Sequence, residues 1–250
     1  MRTDIKRRFA IMATVTALAG AAVLGLWLFS VYDRAVDVSP SPISGGLAES
    51  EEDHGSTKVD WEYWLSVNPD IVAWVSVPGT DIDYPVVQAS ADDPTFYLDH
   101  DVYRGWNPYG CPYLDAGCAE RGIDSPLALM FAHHMNDGSM FASLRNFDNP
   151  EFGMNHVIEY NTIEGATGFG SYQLLGCWYE DLTAPNPYRY WDQVGELTEQ
   201  QFNDYVANIK QLSMYETGVN ATYGDDLLAL STCSYGTADE RFIVVGVKTK

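Results

Sequence analysis

The sequence predicts a mainly β fold, in which a β-barrel or rolled sheet carries a few helices. Eight short runs rich in β-branched and aromatic residues are separated by Pro, Gly and other turn residues. Several runs alternate apolar and polar residues, as strands with one solvated face do. Apolar residues make up 46% of the chain, so enough surface can be buried to exclude general disorder. The eight runs are IVAWVSVPG, YPVVQ, CPYL, LALMFA, HVIEYN, GSYQLLGCWYE, LLALS and RFIVVGV.

Before these runs, the N-terminus contains a predicted membrane anchor. Residues 9–32 carry no charge, and a helix rising about 1.5 Å per residue crosses a hydrocarbon layer of roughly 30 Å over this length. Residues 1–8 hold four Lys or Arg against one Asp, which predicts a cytoplasmic tail. A cleaved signal peptide is the alternative, because small residues such as Ala21 occur within the run. The apolar run continues to Tyr32, so we expect an uncleaved single-pass anchor in the cell membrane.

The remainder is expected to be one extracellular domain, residues 58–250, on a flexible stalk, residues 33–57. The stalk is rich in Ser, Pro, Gly and acidic residues, which bury too little surface to order themselves. From residue 35 onward, nine Lys and Arg face 33 Asp and Glu. This charge repels nucleic acids and anionic membrane surfaces and mildly favours cationic partners such as amines.

Three helical segments interrupt the predicted strands. The first follows Val59 and ends before Pro69, with tryptophans that seat it on the domain. The second covers residues 139–147. The third begins at Thr198, which forms a capping box with Gln201 and precedes an apolar stripe.

The four cysteines match no zinc module in their spacing, and we expect neither a metal nor an organic cofactor. Cys111 and Cys118 either pair across a local turn or, like Cys177, remain buried thiols; the sequence leaves both open. Cys233 differs because it stands at the end of the predicted strand LLALS, beside a polar loop. Exposure and thiolate character govern thiol reactivity, so Cys233 is the candidate nucleophile.

Two further kinds of residue, an arginine and a histidine, suit chemistry at Cys233. Arg241 opens the next strand, and a hairpin there brings a fixed cation toward the thiol. A thiol nucleophile also needs a proton carrier, normally histidine. His133 and His134 follow the strand LALMFA, and so emerge where a strand gives way to a loop, as Cys233 does.

These segments resemble the class B sortases, over about residues 58–250. The cysteine motif LSTC at 230–233 with its trailing arginine is similar to the sortase cysteine motif, and FAHHMNDGSMF at 131–141 to the family's histidine segment. NPDIVAWVSVPGTDIDYPVVQ at 68–88 and YLDHD at 97–101 resemble the opening of the class B domain. The resemblance implies a sortase-like barrel of about eight strands with peripheral helices.

It also implies residue roles. By this resemblance Cys233 is the nucleophile and Arg241 stabilises the oxyanion or holds the substrate. His133 is the proton carrier, and Ala132 stands before it in place of the usual Gly. Further substrate contacts are expected from Ser231, Thr232 and His134. The connection between Cys177 and Leu227, with its capped helix, is similar to a class B feature that shapes the substrate groove. Within it, Tyr188, Tyr190 and Trp191 are candidate groove residues.

The implied reaction is transpeptidation. The enzyme cleaves a Thr-X bond in the sorting signal of a secreted protein, forms a Cys233 thioester, and transfers the acyl group to an amine of a cell-wall precursor or a pilin lysine. An extracellular cysteine protease, with water as acceptor, and a catalytically idle tethered binding domain are the alternatives. The sequence does not determine the sorting motif, the acceptor amine or the oligomeric state. It also does not determine whether the enzyme anchors surface proteins or assembles pili.

Overall fold

The computed structural model describes residues 59–118, 125–163, 169–234, 236 and 239–249. The predicted tail, anchor and stalk lie outside these residues. None of the described helices is both long enough and apolar enough to cross a membrane.

The eight predicted strands are all present, and they form a closed barrel. Going round the barrel the order is β1-β2-β3-β4-β7-β8-β6-β5. The mainly β fold class is therefore confirmed. The strands are β1 Ile71–Ser76, β2 Asp83–Val87, β3 Tyr113–Leu114, β4 Leu127–Phe131, β5 Val157–Thr162, β6 Phe169–Asp181, β7 Leu227–Ser234 and β8 Glu240–Lys248. The α-helices are α1 Trp61–Val67, α2 Pro150–Asn155 and α3 Glu199–Leu212.

Two strand pairings fix the relative positions of distant parts of the chain. β7 and β8 form an antiparallel hairpin, as the short connection between them predicts. β4 and β7 are parallel, and their register pairs Phe131 with Ser231. Because parallel strands end at the same edge, the residues that follow β4 emerge beside the end of β7. This edge holds the candidate site.

The barrel wall separates two apolar layers. Alternate residues of β7 point inward, where Leu228 and Leu230 join the barrel core. The residues between them, Leu227 and Ala229, point outward beneath α3. Burial of each large apolar side chain contributes about 1.5–3 kcal/mol, so both faces of β7 hold the strand rigidly. The side chains of α3 that pack on this wall are Phe202, Tyr205, Val206 and Ile209.

The helix predictions are confirmed at two places and adjusted at the third. α1 ends at Val67 with Asn68 as its C-cap, and α3 carries the predicted capping box, in which Thr198 and Gln201 satisfy each other's backbone N–H groups. The segment predicted as helical over residues 139–147 forms 3₁₀ turns over Ala142–Asp148. Its fully buried residues Phe141, Leu144 and Phe147 are spaced by three, which is the repeat of a 3₁₀ helix.

All four cysteines are free thiols, so the disulfide left open for Cys111 and Cys118 does not form. Both side chains, like that of Cys177, are buried in the domain. Cys233 alone among the four is partly exposed.

Candidate active site

The candidate nucleophile lies at the rim of the barrel, where three strand ends meet. Cys233 is the penultimate residue of β7, and the β7–β8 register places it directly opposite Arg241. β4 ends at Phe131, and His133 follows two residues later, so the parallel β4–β7 pair carries the imidazole to the same rim. The structure thus brings together three residues that the sequence separates by up to about a hundred positions.

The Cys233 thiol and the His133 imidazole face each other, and each favours the charged form of the other. The His133 contact is the largest influence on the thiol and lowers the pKa of Cys233; burial opposes it, and the Arg241 cation lowers the pKa further. The same contact with Cys233 raises the pKa of His133, against the effect of burial. The pair is therefore biased toward thiolate and imidazolium, as a cysteine nucleophile requires.

A backbone carbonyl determines which ring nitrogen serves the thiol. His133 Nε2 lies 2.8 Å from the carbonyl oxygen of Leu98, which can only accept a hydrogen bond. Nε2 is therefore the protonated nitrogen, and Nδ1 is left to face Cys233. In the charged pair both nitrogens donate, Nε2 to the carbonyl and Nδ1 to the thiolate.

The Arg241 guanidinium is partly neutralised but retains free donors. Its Nη1 atom lies 2.7 Å from Asp239 Oδ1, and 29% of the side chain is exposed. Nη1 also donates to the Glu240 carbonyl oxygen at 3.3 Å. Since a guanidinium carries five N–H groups, others remain able to bind an oxygen near the thiol.

A largely apolar groove of about 460 Å³ leads to the Cys233 thiol. Its walls come from the loop before β3, from β3 and β4, and from the connection after β6. Such a groove suits an extended peptide, whose side chains fill apolar subsites while polar groups at one end act on its backbone. The lining residues closest in chain position to the three candidate catalytic groups are Phe131, Ala132, Ser231 and Thr232, and those from other segments include Pro94, Leu98, Tyr113, Leu182, Tyr190 and Trp191.

The hydroxyls of the two predicted substrate-contact residues on β7 are already bonded within the protein. Ser231 and Thr232 both line the groove but are almost fully buried. The Ser231 hydroxyl lies 2.7 Å from the Tyr190 hydroxyl, and Thr232 Oγ1 donates to the Ala132 carbonyl at 2.9 Å. In this structure they shape and brace the groove.

His134 lies apart from the groove. It forms an isolated β-bridge with Met140 and lines a separate cleft with Arg145 and Asp148. Burial and the nearby Arg145 cation lower the pKa of His134, opposite in direction to His133. The two adjacent imidazoles thus occupy different environments, and only that of His133 meets the thiol side chain.

Among the aromatic residues proposed for the groove, Tyr190 and Trp191 line it, whereas Tyr188 packs on the outer apolar layer near Trp178. Sequence reasoning missed the Leu98 carbonyl, because a main-chain oxygen leaves no residue signature. The segment YLDHD that contains Leu98 stands out in the sequence only through its resemblance to class B sortases.

These features define a class of site: a thiol with a lowered pKa, an imidazole and an arginine that together line one apolar groove of a closed β-barrel. No family model matches the chain. Two curated relatives are similar to it over most of their length. Sortase B of Listeria monocytogenes is 27% identical over 223 residues, which cover 84% of this chain and 86% of the relative. Sortase B of Staphylococcus aureus is 28% identical over 201 residues, covering 80% and 78%.

Solved structures agree with these relatives on the fold. Sortase B of Clostridium perfringens superposes with a TM-score of 0.65 at 22% identity, covering 76% of this chain and 99% of the other. A sortase B complexed with triglycine superposes with a TM-score of 0.63 at 25% identity, covering 76% and 85%. The chain therefore has the sortase fold, and the comparisons support the resemblance to class B of that family.

Proposed function

We propose that the protein is a class B sortase, a cysteine transpeptidase that cleaves a Thr-X bond in the sorting signal of a secreted protein and transfers the acyl group to an amine. The observation that carries this proposal is the meeting of Cys233, His133 and Arg241 in the wall of the apolar groove. A buried structural cysteine has no need of an imidazole partner and a facing arginine.

In the first half-reaction the Cys233 thiolate attacks the carbonyl carbon of the scissile peptide. A carbon–sulfur bond forms, and the carbonyl oxygen takes up negative charge, which the Arg241 guanidinium stabilises. The His133 imidazolium donates its Nδ1 proton to the leaving nitrogen. The peptide bond breaks, an amine departs and a thioester remains on Cys233.

In the second half-reaction an acceptor amine attacks the thioester. Neutral His133 accepts a proton from the amine, the new amide bond forms, and the Cys233 thiolate leaves. The acidic surface of the domain favours approach of cationic amines. The sortase B complexed with triglycine is a relative holding a small peptide with a free amine, which supports an amine acceptor for this chain by analogy.

The cellular setting belongs to the same proposal. Residues 9–32 would anchor the chain in the membrane with the catalytic domain outside the cell. The substrates would then be secreted or surface proteins that bear sorting signals, and the acceptor a cell-wall precursor or a pilin lysine.

The test is to incubate the purified full-length chain with a panel of sorting-signal peptides and a small amine, and to identify the products by mass spectrometry. We expect an amide-linked peptide–amine product that is absent with Cys233→Ala. Hydrolysis without amide product would instead identify a cysteine protease. A chain that forms neither product nor thioester with any peptide would contradict both reactions and leave a binding domain.

A further inference from the structure

The Leu98 carbonyl that binds His133 follows directly after the central residue of a hydrogen-bond network, the buried Tyr97. Tyr97, the preceding residue, is fully buried, and its hydroxyl donates to Asp70 Oδ2 at 2.6 Å. The same hydroxyl accepts a hydrogen bond from Asn68 Nδ2 at 2.8 Å. Arg104 Nη1 completes the group, 2.7 Å from Asp70 Oδ2. Asn68 and Arg104 thus bind the pair that the Tyr97 hydroxyl forms with the Asp70 carboxylate, and the four side chains come from two separate segments.

The network also ties the segment that carries Leu98 to the end of α1. Asn68 is also fully buried, and its Nδ2 reaches the Val102 carbonyl at 2.9 Å, so the network joins the end of α1 to the loop after Tyr97. The hydrogen bond from the buried Tyr97 side chain to the Asp70 carboxylate is charge-assisted, and such bonds are among the stronger polar contacts in proteins. The 3₁₀ turn Phe96–Leu98 is held by its central residue, and Leu98 is thereby presented to the active site.

A second observation points to the same carbonyl group. Gly110 has φ +63°, and a Cβ atom placed on it would lie 2.6 Å from the Tyr97 carbonyl oxygen and 2.7 Å from that of Leu98. The backbone after Leu98 thus closes over these two oxygens as only glycine permits. The next residue, Cys111, donates its backbone N–H to the Tyr97 carbonyl at 3.0 Å.

We propose that the hydrogen-bonded group Asn68, Asp70, Tyr97 and Arg104 positions the catalytic histidine by fixing the Leu98 carbonyl against His133 Nε2. Tyr97 is the central positioning residue. The inference rests on the proposed function for its catalytic meaning. Three groups face the His133 ring: the Cys233 thiol from β7, the Arg241 cation from β8 and the Leu98 carbonyl from the loop. Of these, only the carbonyl can select the ring tautomer while leaving Nδ1 free for the thiol.

The first test measures iodoacetamide alkylation of Cys233 against pH in the full-length chain, with the adduct located by mass spectrometry. If the Leu98 carbonyl is held less firmly, it stabilises the His133 imidazolium less. The Cys233 thiolate is then stabilised less by its cationic partner. For Tyr97→Phe we expect the apparent pKa of the thiol to rise and the rate at pH 7 to fall about threefold to tenfold, since one pKa unit is a factor of ten. The plateau rate at high pH should not change, because the thiol is then fully ionised.

The matched control is Tyr215→Phe, which also deletes a partly buried hydroxyl, one that donates to the Phe147 carbonyl at 2.6 Å away from the groove. Its alkylation curve should overlay that of the wild type. Gly110→Ala, which pushes directly on the Leu98 carbonyl, should shift the curve as Tyr97→Phe does. Wild-type curves for both Tyr97→Phe and Gly110→Ala, or an equal shift in Tyr215→Phe, would overturn the proposal.

A direct readout needs no variant. Nitrogen-15 NMR of histidine-labelled wild-type chain should find neutral His133 as the Nε2–H tautomer, and the Nδ1–H tautomer would overturn the proposal. Neither alkylation nor NMR uses a peptide substrate. A chain that passes both tests yet transfers no peptide would therefore disprove the proposed function and leave the positioning role intact.

Discussion

Two thiols on the strands that flank β8 have opposite properties. Cys177 lies mid-strand in β6 opposite Val244, is fully buried, and donates to the Phe147 carbonyl at 3.1 Å. Burial raises its pKa to about 11. Cys233 lies at the end of β7 opposite Arg241, and its contact with His133 lowers its pKa. The same barrel thus holds an inert and an activated thiol, and position along the strand together with the facing partner decides which is which.

The largest effect on activity is expected from replacing Cys233, the thiol whose pKa is lowered. Cys233→Ser should reduce transpeptidation about 10⁴-fold or more, because removal of the nucleophile from a coupled acyl-transfer site leaves only binding and oxyanion stabilisation. Product formation is measured by mass spectrometry. Circular dichroism should show unchanged folding, because the side chain is partly exposed and nearly isosteric. Retained activity would contradict the assignment of Cys233.

Replacement of His133, the proton carrier, should have the second largest effect on activity. His133→Gln cannot exchange a proton and should lower kcat/KM about 10²- to 10⁴-fold. The His133 contact is the main cause of the low pKa of Cys233, so the midpoint of alkylation against pH should move upward, toward the ordinary value of 9.0. His134→Gln is the control and should leave that midpoint in place. A shift only in His134→Gln would reverse the roles of the two imidazoles.

The arginine opposite the thiol gives a smaller expected effect. Arg241→Gln should lower kcat/KM about 10²- to 10³-fold, as removal of an oxyanion donor does. Arg241→Lys keeps the charge but not the planar fork, and we expect it to recover part of the loss. If both variants retain wild-type rates with peptide and amine, Arg241 makes only its ion pair with Asp239.

The smallest effect on activity is expected from replacing Cys177, the buried thiol. Cys177→Ala should change kcat/KM less than about twofold while lowering the free energy of unfolding by about 1–2 kcal/mol, a usual range for loss of buried contacts. Urea denaturation followed by tryptophan fluorescence measures the second quantity, and peptide turnover the first. Iodoacetamide at neutral pH should likewise label Cys233 and spare Cys177. Rapid labelling of Cys177 in the folded chain would contradict the difference in reactivity between Cys177 and Cys233.

Much of the barrel was predictable because its signals are local. All eight strands appear where β-branched runs alternate between turn residues, and the β7–β8 hairpin that faces Cys233 with Arg241 follows from a short connection. The capping box of α3 is likewise contained in four consecutive residues. The segment after Phe141 was harder, because apolar residues spaced by three suit both an α-helix and the 3₁₀ turns that form.

The strands, the capped helix and the types of reactive residue can be read from the sequence, because each depends on neighbours within a few positions. How these parts meet follows from long-range packing. The parallel pairing of β4 with β7 brings His133 to Cys233, since parallel strands are joined by long connections whose register no local pattern encodes. The Leu98 carbonyl that selects the histidine tautomer is a main-chain atom, and its place depends on side chains packed from α1 and the following loop.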